Sequence, residues 1–371
     1  MTPRTTEQSI VDAVASAQGP LAIRGGGTRT VGRPVVGELL DVSGLSGVTL
    51  YEPGALTIVA QAGTPVSEIE ATLAAENQRL AFEPYDLTGL LGTAGSSTIG
   101  GVIATNASGP RRIMAGAARD FALGVRFVDG AGQVIKNGGR VMKNVTGYDL
   151  VKLMCGSWGT LGVLTEVSLK VLPSVEAELT LVLDGVDAST AVAAMSRALG
   201  SPFEVSGAAW IGGQVWLRLE GFEASVAYRA GQLKALLADF GDVAELAADW
   251  SAVRDAKPLA AATGIWRISV KPGNGPAVLD VAPEACTTLM DWGGGLIWVG
   301  QTDGDVSATH AILQTKVAQL GGHATLIKGP EAVRAAVPVF QPETPGVAAL
   351  SSALRQRFDP RGILNPGLMV A

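Results

Sequence analysis

Residues 92–109 read Gly-Thr-Ala-Gly-Ser-Ser-Thr-Ile-Gly-Gly-Val-Ile-Ala-Thr-Asn-Ala-Ser-Gly, without one charged side chain. An ordinary amphipathic helix is not expected here, because each Gly costs about 1 kcal/mol relative to Ala at a helical position. The composition suits a backbone pressed against a ligand. Gly lets the main chain approach closely, and free N–H groups beside small hydroxyls bind a phosphate or a polar ring edge. A second such stretch is Arg24-Gly25-Gly26-Gly27-Thr28-Arg29, which follows the strand signal Leu21-Ala22-Ile23. It reads as a phosphate cradle, with Arg24 or Arg29 adding charge. It has neither G-x-G-x-x-G spacing nor the Lys of a P-loop. Taken singly, each stretch also fits a plain turn without a ligand. The chain holds only two histidines, His310 and His323, and two cysteines, Cys155 and Cys286, far apart and without metal-ligand spacing.

Elements of ordinary periodicity must position these loops. Residues 5–18 predict a helix with Thr5 and Gln8 as its capping box and Ile10, Val11 and Val14 as its stripe. Leu56 to Ala60 is a strand. Thr64 then caps a helix that starts at Pro65 and turns Val66, Ile69 and Leu73 inward. Residues 122–128 and 133–136 form a hairpin turned at Asp129-Gly130-Ala131-Gly132. A short helix through Leu150, Leu153 and Met154 ends at Gly156. Gly159-Thr160-Leu161-Gly162-Val163 enters another strand. After Pro173 the glycine loops thin out. Strands are expected at 177–184, 203–210, 214–220, 265–271, 294–300 and 323–328, and helices at 187–199, 223–239, 277–290 and 305–320. That alternation is an α+β layer with helices over a mostly antiparallel sheet. A helix capped by Thr344 precedes a turn-rich tail.

The whole chain has 371 residues, so two domains are expected. Hydrophobic residues make up 47% and charged ones 17%, which excludes a disordered chain. A net charge of −6 gives no basic face for nucleic acid. The tryptophans Trp210, Trp216, Trp266, Trp292 and Trp298 are expected in core or interface. No apolar run is long enough to span a membrane and no signal peptide opens the chain, so a cytoplasmic location is expected, or a peripheral one at the inner face of the membrane through partners.

Together the motifs resemble the vanillyl-alcohol-oxidase, or PCMH-type, family of flavoproteins. Arg24-Gly25-Gly26-Gly27-Thr28 is similar to its pyrophosphate loop. Gly95-Ser96-Ser97-Thr98-Ile99-Gly100-Gly101, with Ala104-Thr105-Asn106 and Gly109, resembles its second flavin segment. Asn144-Val145-Thr146-Gly147-Tyr148-Asp149-Leu150 and Gly159 to Val163 are similar to its D-2-hydroxyacid dehydrogenase branch. So is the tail, Phe358-Asp359-Pro360 with Ile363-Leu364-Asn365-Pro366-Gly367. Ser108 to Arg112, Arg119-Asp120 and the 321–326 strand look most like the FAD-binding E-subunit family of three-subunit bacterial glycolate oxidases.

The resemblance implies a PCMH-type FAD domain of two α/β subdomains over 1–173, an α+β cap over 174–335, and a segment 336–371 returning to the first domain. It implies FAD held by Arg24, Gly25, Gly26, Gly27, Thr28, Gly92, Gly95, Ser96, Ser97, Ile99, Gly100, Gly101, Ala104, Thr105, Asn106, Gly109, Tyr148, Gly162, Val163 and Asn365. Where covalent relatives place His at the loop end, Thr28 stands, so the FAD is expected to be non-covalent. The branch's metal-binding His motif is missing from the cap, and Trp158 replaces its usual Glu. The activity implied is oxidation of glycolate or a related 2-hydroxy acid within a complex. The partners implied are a second FAD subunit with the metal-His motif and an iron–sulfur subunit. A self-sufficient D-lactate-type dehydrogenase and a non-catalytic assembly subunit are the alternatives. No metal site is expected. His323 has the residue type of a base, against a core strand histidine. Arg111 and Arg112 have that of a carboxylate clamp, against a surface or interface ion pair.

Overall fold

The computed structural model describes residues 5–140 and 147–369, so Asn144, Val145 and Thr146 of the sequence motif lie outside the described residues. The chain divides into two compact units. The first is Met1–Ser108, Gly116–Ser174 and Pro342–Ala371, and the second is Gly109–Ala115 and Val175–Gln341. The sequence reading ends its domains at 173 and 335, and the compact units divide after Ser174 and Gln341. The segment 109–115, expected in the first domain, groups with the second unit.

The first unit holds a five-stranded antiparallel sheet in the order Val48–Glu52, Thr57–Gln61, Val163–Lys170, Ala122–Val128, Val134–Gly138. Thr57–Gln61 is buried on both faces for most of its length, as a run of β-branched and small apolar residues dictates. Beside it Leu21–Arg24 pairs in parallel with Glu38–Asp41. The tail joins this pair: Leu21 N–H donates to Ile363 O at 2.7 Å, and Asn365 N–H donates to Leu21 O at 3.0 Å. The supporting core gathers Ile10, Val14, Leu21, Val42, Leu45, Val128, Val163, Ile363 and Leu364 from the whole length of the unit. Each such aliphatic stabilises by about 1.5–3 kcal/mol when fully buried.

Two caps differ from the sequence reading. The first helix is Glu7–Ser16, and its capping box is Thr6 with Ser9, not Thr5 with Gln8. Thr6 takes the extended backbone, its hydroxyl accepts from Ser9 N–H, and Thr6 N–H donates to Ser9 Oγ. The second helix, Val66–Ala74, has Pro65 at its cap. Thr64 is spent elsewhere: it accepts from Gly47 N–H and donates to Gln61 O at 2.7 Å.

The second unit is an eight-stranded antiparallel sheet. Its order is Val243–Leu246, Ala177–Leu183, Gln214–Gly221, Gly207–Ile211, Thr287–Asp291, Leu296–Gln301, Gly264–Ser269, His323–Lys328. Helices Ala188–Leu199, Glu223–Leu236 and Val306–Gln319 lie where periodicity puts them. The helix expected at 277–290 is a misreading. A short helix ends at Leu279, Pro283 intervenes, and Thr287–Asp291 is a strand, because Pro breaks helical bonding and paired β-branched Thr287 and Thr288 favour the pleat. The edge strand Val243–Leu246 was not foreseen.

Trp266 and Trp298 are fully buried, whereas Trp292 is half-buried. Trp266 Nε1–H donates to His310 Nδ1 at 3.1 Å, so the ring carries its proton on Nε2 and donates to Pro338 O at 2.9 Å. Burial lowers the His310 pKa below its ordinary value and keeps this neutral form. Cys155 and Cys286 are free thiols. Burial pushes the Cys155 thiol up to about 12, which leaves it unreactive. No helix of the described residues is long and apolar enough to cross a membrane.

Candidate functional site

The strand Leu21–Arg24 delivers the chain into Gly25-Gly26-Gly27, and the loop before Thr98 brings Gly95 and Ser96 against it. The two loops interlock backbone on backbone. A Cβ on Gly26 would collide with the carbonyl oxygen of Ser96, and one on Gly95 with the carbonyl oxygen of Gly26. A Cβ on Gly25 would stand 2.7 Å from Thr98 Oγ1. Gly27 and Gly95 also take positive φ, +69° and +137°. Thus the glycines are required first by each other. Among the described residues, the amides of Gly25, Gly26, Gly27, Thr28 and Ser96 donate to no protein acceptor. Nearby in sequence, Thr93 has a buried hydroxyl that makes no hydrogen bond. A loop of open amides is a donor set for phosphate oxygens.

The stretch 92–109 does contain a helix, Ile99–Thr105, contrary to the composition argument. Thr98 caps it and accepts from Gly101 N–H. Ile99, Gly100, Val102 and Ile103 form its buried face. At Gly100 the close approach is to protein, since a Cβ there would lie 2.7 Å from Ala62 Cβ. The other face, Gly101, Ala104 and Thr105, is half-buried. It is flat because its side chains are small, and Thr105 returns its hydroxyl to Gly101 O at 2.8 Å.

Several sequence-chosen residues take other roles. The Arg24 guanidinium lies 3.6 Å from Asp41 on the surface. Arg29 ties three segments together, donating to Ser97 Oγ at 2.8 Å and Tyr85 O at 2.7 Å while lying over the Tyr85 ring. Gly92, with φ +64°, closes the short helix Thr88–Leu91. Asn106 is a left-handed helix cap that accepts from Arg119 N–H at 2.9 Å. Gly162 is pressed on the Phe127 ring, and Val163 is buried in the core. Tyr148 is 90% exposed, and its carbonyl accepts from Asn137 Nδ2.

Asn365, buried with φ +44°, accepts from Ile23 N–H at 2.8 Å and donates to Trp158 O at 2.9 Å. It staples the strand that feeds the glycine loop to the 157–160 turn. Asn365→Ala orphans both backbone groups, an expected loss of about 1–3 kcal/mol. The melting temperature should fall accordingly; an unchanged one would remove the staple role.

In the second unit Gly109 O accepts from Trp292 Nε1–H at 3.0 Å. Arg111 forms a buried ion pair with Glu220, the two side chains 4% and 2% exposed, so it lies neither at the surface nor open to a ligand. Its neighbour Arg112 lies 4.6 Å from the centroid of the Trp292 ring, and Arg267 lies 5.0 Å from the same centroid. His323 is at the start of its strand with solvent on its ring, so the core-histidine reading fails. The protein crowding around it, then the charges of Arg267 and Arg112, lower its pKa below the ordinary value. Arg267 and Trp292 were missed in the sequence because nothing local joins 112, 267, 292 and 323. Thr93 lies in the 92–109 stretch, but nothing in the sequence singles it out from the other hydroxyls there.

The glycine cradle and the two sheet-bearing units are those of a chain whose sequence relatives are FAD-binding oxidoreductases. Residues 1–138 match the family model described as FAD binding domain. The chain belongs to the family of the glycolate oxidase subunit GlcE: it is 37% identical to that Escherichia coli protein over 97% of this chain and 95% of the relative. It is 32% identical to the Bacillus subtilis glycolate oxidase subunit GlcD over 50% of this chain and 40% of that one. In fold it is similar to an alkyldihydroxyacetonephosphate synthase, with a TM-score of 0.70 and 16% identity over 98% of this chain and 76% of the other.

Proposed function

We propose that the chain is the FAD-binding subunit of a glycolate-oxidising complex, taking glycolate or a related 2-hydroxy acid to the 2-oxo acid and passing the electrons onward. The observation that carries this reading is the interlocked cradle with its open amides, in a chain similar along its whole length to a glycolate oxidase subunit. The amides of Gly25 to Thr28 and of Ser96 would hold the pyrophosphate, with the Thr93 hydroxyl as a further partner. Gly101, Ala104 and Thr105 would admit a planar ring. When bound, FAD supplies the acceptor for a hydride, chemistry that no side chain can perform. Thr28, not His, ends the glycine loop, and the first unit's one cysteine is an inert thiol, which supports a non-covalent flavin.

Arg112 stays a proposed partner of the substrate carboxylate and Arg267 joins it, while Arg111 is neutralised by Glu220. His323, held neutral by its surroundings, is proposed to take the hydroxyl proton. An iron–sulfur cluster requires about four thiolates, and the chain has two cysteines. The family resemblance, not the cysteine count, implies that an iron–sulfur partner accepts the electrons, beside a second flavin subunit. The same reading puts the complex in the cytoplasm, at the inner face of the membrane only through its partners.

The test is the anaerobic visible spectrum of the purified chain, before and after glycolate or D-lactate. A flavin band that persists until the partner subunits are added is the expected result. Bleaching by the single chain would mark a self-sufficient dehydrogenase. Absence of any flavin band after FAD is supplied would sink the cofactor assignment and favour a purely assembling subunit.

A further inference from the structure

The sheet of the second unit has two faces, and its register fixes which side chains share one. Trp266 turns to the helix Val306–Gln319, where its indole N–H meets His310. Its strand neighbour Arg267 therefore turns to the opposite face, because successive side chains alternate. On that face Trp298 stands directly across from Arg267, and His323 directly across from Ser269. His323 is thus the diagonal neighbour of Arg267. The Arg267 guanidinium lies 5.9 Å from the centroid of Trp298 and 5.0 Å from that of Trp292. Arg112, on the 109–115 segment of the same unit, lies 4.6 Å from the Trp292 centroid. The Trp292 ring is shared by both guanidiniums.

The backbone that presents this ring is strained. Trp292 has φ +54°, a left-handed conformation that is an outlier for a bulky side chain. Gly293 and Gly294 continue the positive run at +67° and +101°. Two bonds hold the tryptophan there. The buried Asp291 carboxylate accepts from Trp292 N–H at 2.7 Å, and the indole Nε1–H donates to Gly109 O at 3.0 Å. Such strain persists only where the surroundings over-determine it, and it collects at functional sites.

We infer that Trp292 is a positioning residue, holding the Arg112 and Arg267 guanidiniums for the substrate carboxylate, which rests on the reading of those two arginines as its partners. An indole binds a guanidinium through its flat face, and the N–H donors of the guanidinium point outward in its own plane. A stacked arginine therefore keeps its forked edge for a carboxylate. Arg111, one residue before Arg112, instead gives its charge to Glu220. Two nearby guanidiniums repel each other, and the negative ring face they share offsets part of that repulsion. Fixing both beforehand removes the ordering cost of two long side chains when substrate arrives.

The experiment is steady-state glycolate oxidation by the assembled complex with an artificial electron acceptor. Trp292→Leu keeps an apolar side chain and removes the ring, whereas Trp292→Phe keeps a ring and removes the N–H. Trp292→Leu should raise KM about tenfold with kcat within about threefold of wild type, as expected when binding common to ground and transition states is lost. Trp292→Phe should stay within about threefold on both constants, because it retains a π face. Trp292→Gly, whose backbone is at ease at this φ, keeps the test open if the leucine chain fails to fold, and should raise KM alike. Trp210→Phe loses the same kind of bond, from its indole to Val186 O, and should match wild type. A residue needed only for packing would give no split between the leucine and phenylalanine variants, and equal KM values for the two would overturn the inference. Arg112→Ala and Arg267→Ala separate that failure from failure of the carboxylate reading. If they raise KM and Trp292→Leu does not, the positioning role alone falls. If neither raises it, the carboxylate reading falls and takes the positioning role with it.

Discussion

Gly26→Ala is expected to abolish flavin retention and to destabilise the first unit. The methyl group would meet the carbonyl oxygen of Ser96 well inside contact distance, and a backbone atom cannot rotate aside as a side-chain tip can. Overpacking in a tight site costs typically 1–3 kcal/mol, and about 3 kcal/mol or more is expected where both walls are main chain. The loops would have to part, and the open amides of Gly25 to Thr28 and Ser96 would lose their common centre. An FAD affinity loss of at least a hundredfold follows if two of the charge-assisted bonds to phosphate go, at about 1.5–3 kcal/mol each.

A graded series makes the argument specific. Gly95→Ala should match Gly26→Ala, because it adds the strain of φ +137° to a clash with Gly26 O. Gly101→Ala should weaken FAD only modestly, since its added methyl would stand 3.3 Å from Thr98 Oγ1. Gly54→Ala, in open space, should leave both readouts at wild type. Flavin titration and thermal melts on the four variants check the order. Full flavin binding by Gly26→Ala at an unchanged melting temperature would show that the interlock is not what shapes the cradle.

The sequence made the two glycine loops legible because both the closeness of backbone approach and the positive φ values exclude other residue types. It could not say that much of that closeness is protein on protein. Gly26 needs room for Ser96, Gly100 for Ala62, and Gly162 for Phe127. A missing side chain looks the same in sequence whether a ligand or a neighbouring loop fills the space. For the same reason the Ile99–Thr105 helix was hidden: propensity spoke against it, and burial of Ile99, Val102 and Ile103 outweighed propensity. Asn365 shows a related ambiguity. The tail motif was visible, but its side chain completes the strand that carries the cradle. In the second unit, strands and helices of standard period were readable except where Pro283 divided a mixed segment. The pairing of Arg111 with Glu220, and of Arg112 with Trp292, crosses about a hundred residues or more and leaves no local pattern.

Arg111→Met is the second large effect expected, and it separates two roles that the sequence could not. Arg111 and Glu220 are both taken out of water, and Arg218 Nε lies 3.5 Å from the other Glu220 oxygen. Arg218 is itself committed to Ser206 Oγ at 3.2 Å and to the face of Trp250. Removing Arg111 takes one of two nearby guanidiniums from a buried carboxylate. Breaking a buried pair from one side costs about 3–5 kcal/mol, and the lower end is expected because Arg218 remains. Glu220→Gln should cost more than its isosteric shape suggests, for it strands two guanidiniums. The double variant Arg111→Met with Glu220→Gln should be more stable than the sum of the single losses predicts, by at least about 1.5 kcal/mol, as expected for directly coupled residues. If Arg111 instead clamped substrate, Arg111→Met would melt like wild type and raise the glycolate concentration needed for half-maximal flavin reduction in the assembled complex. That shift is expected of Arg112→Ala, whose guanidinium is stacked on the half-buried Trp292 rather than bound into the core pair.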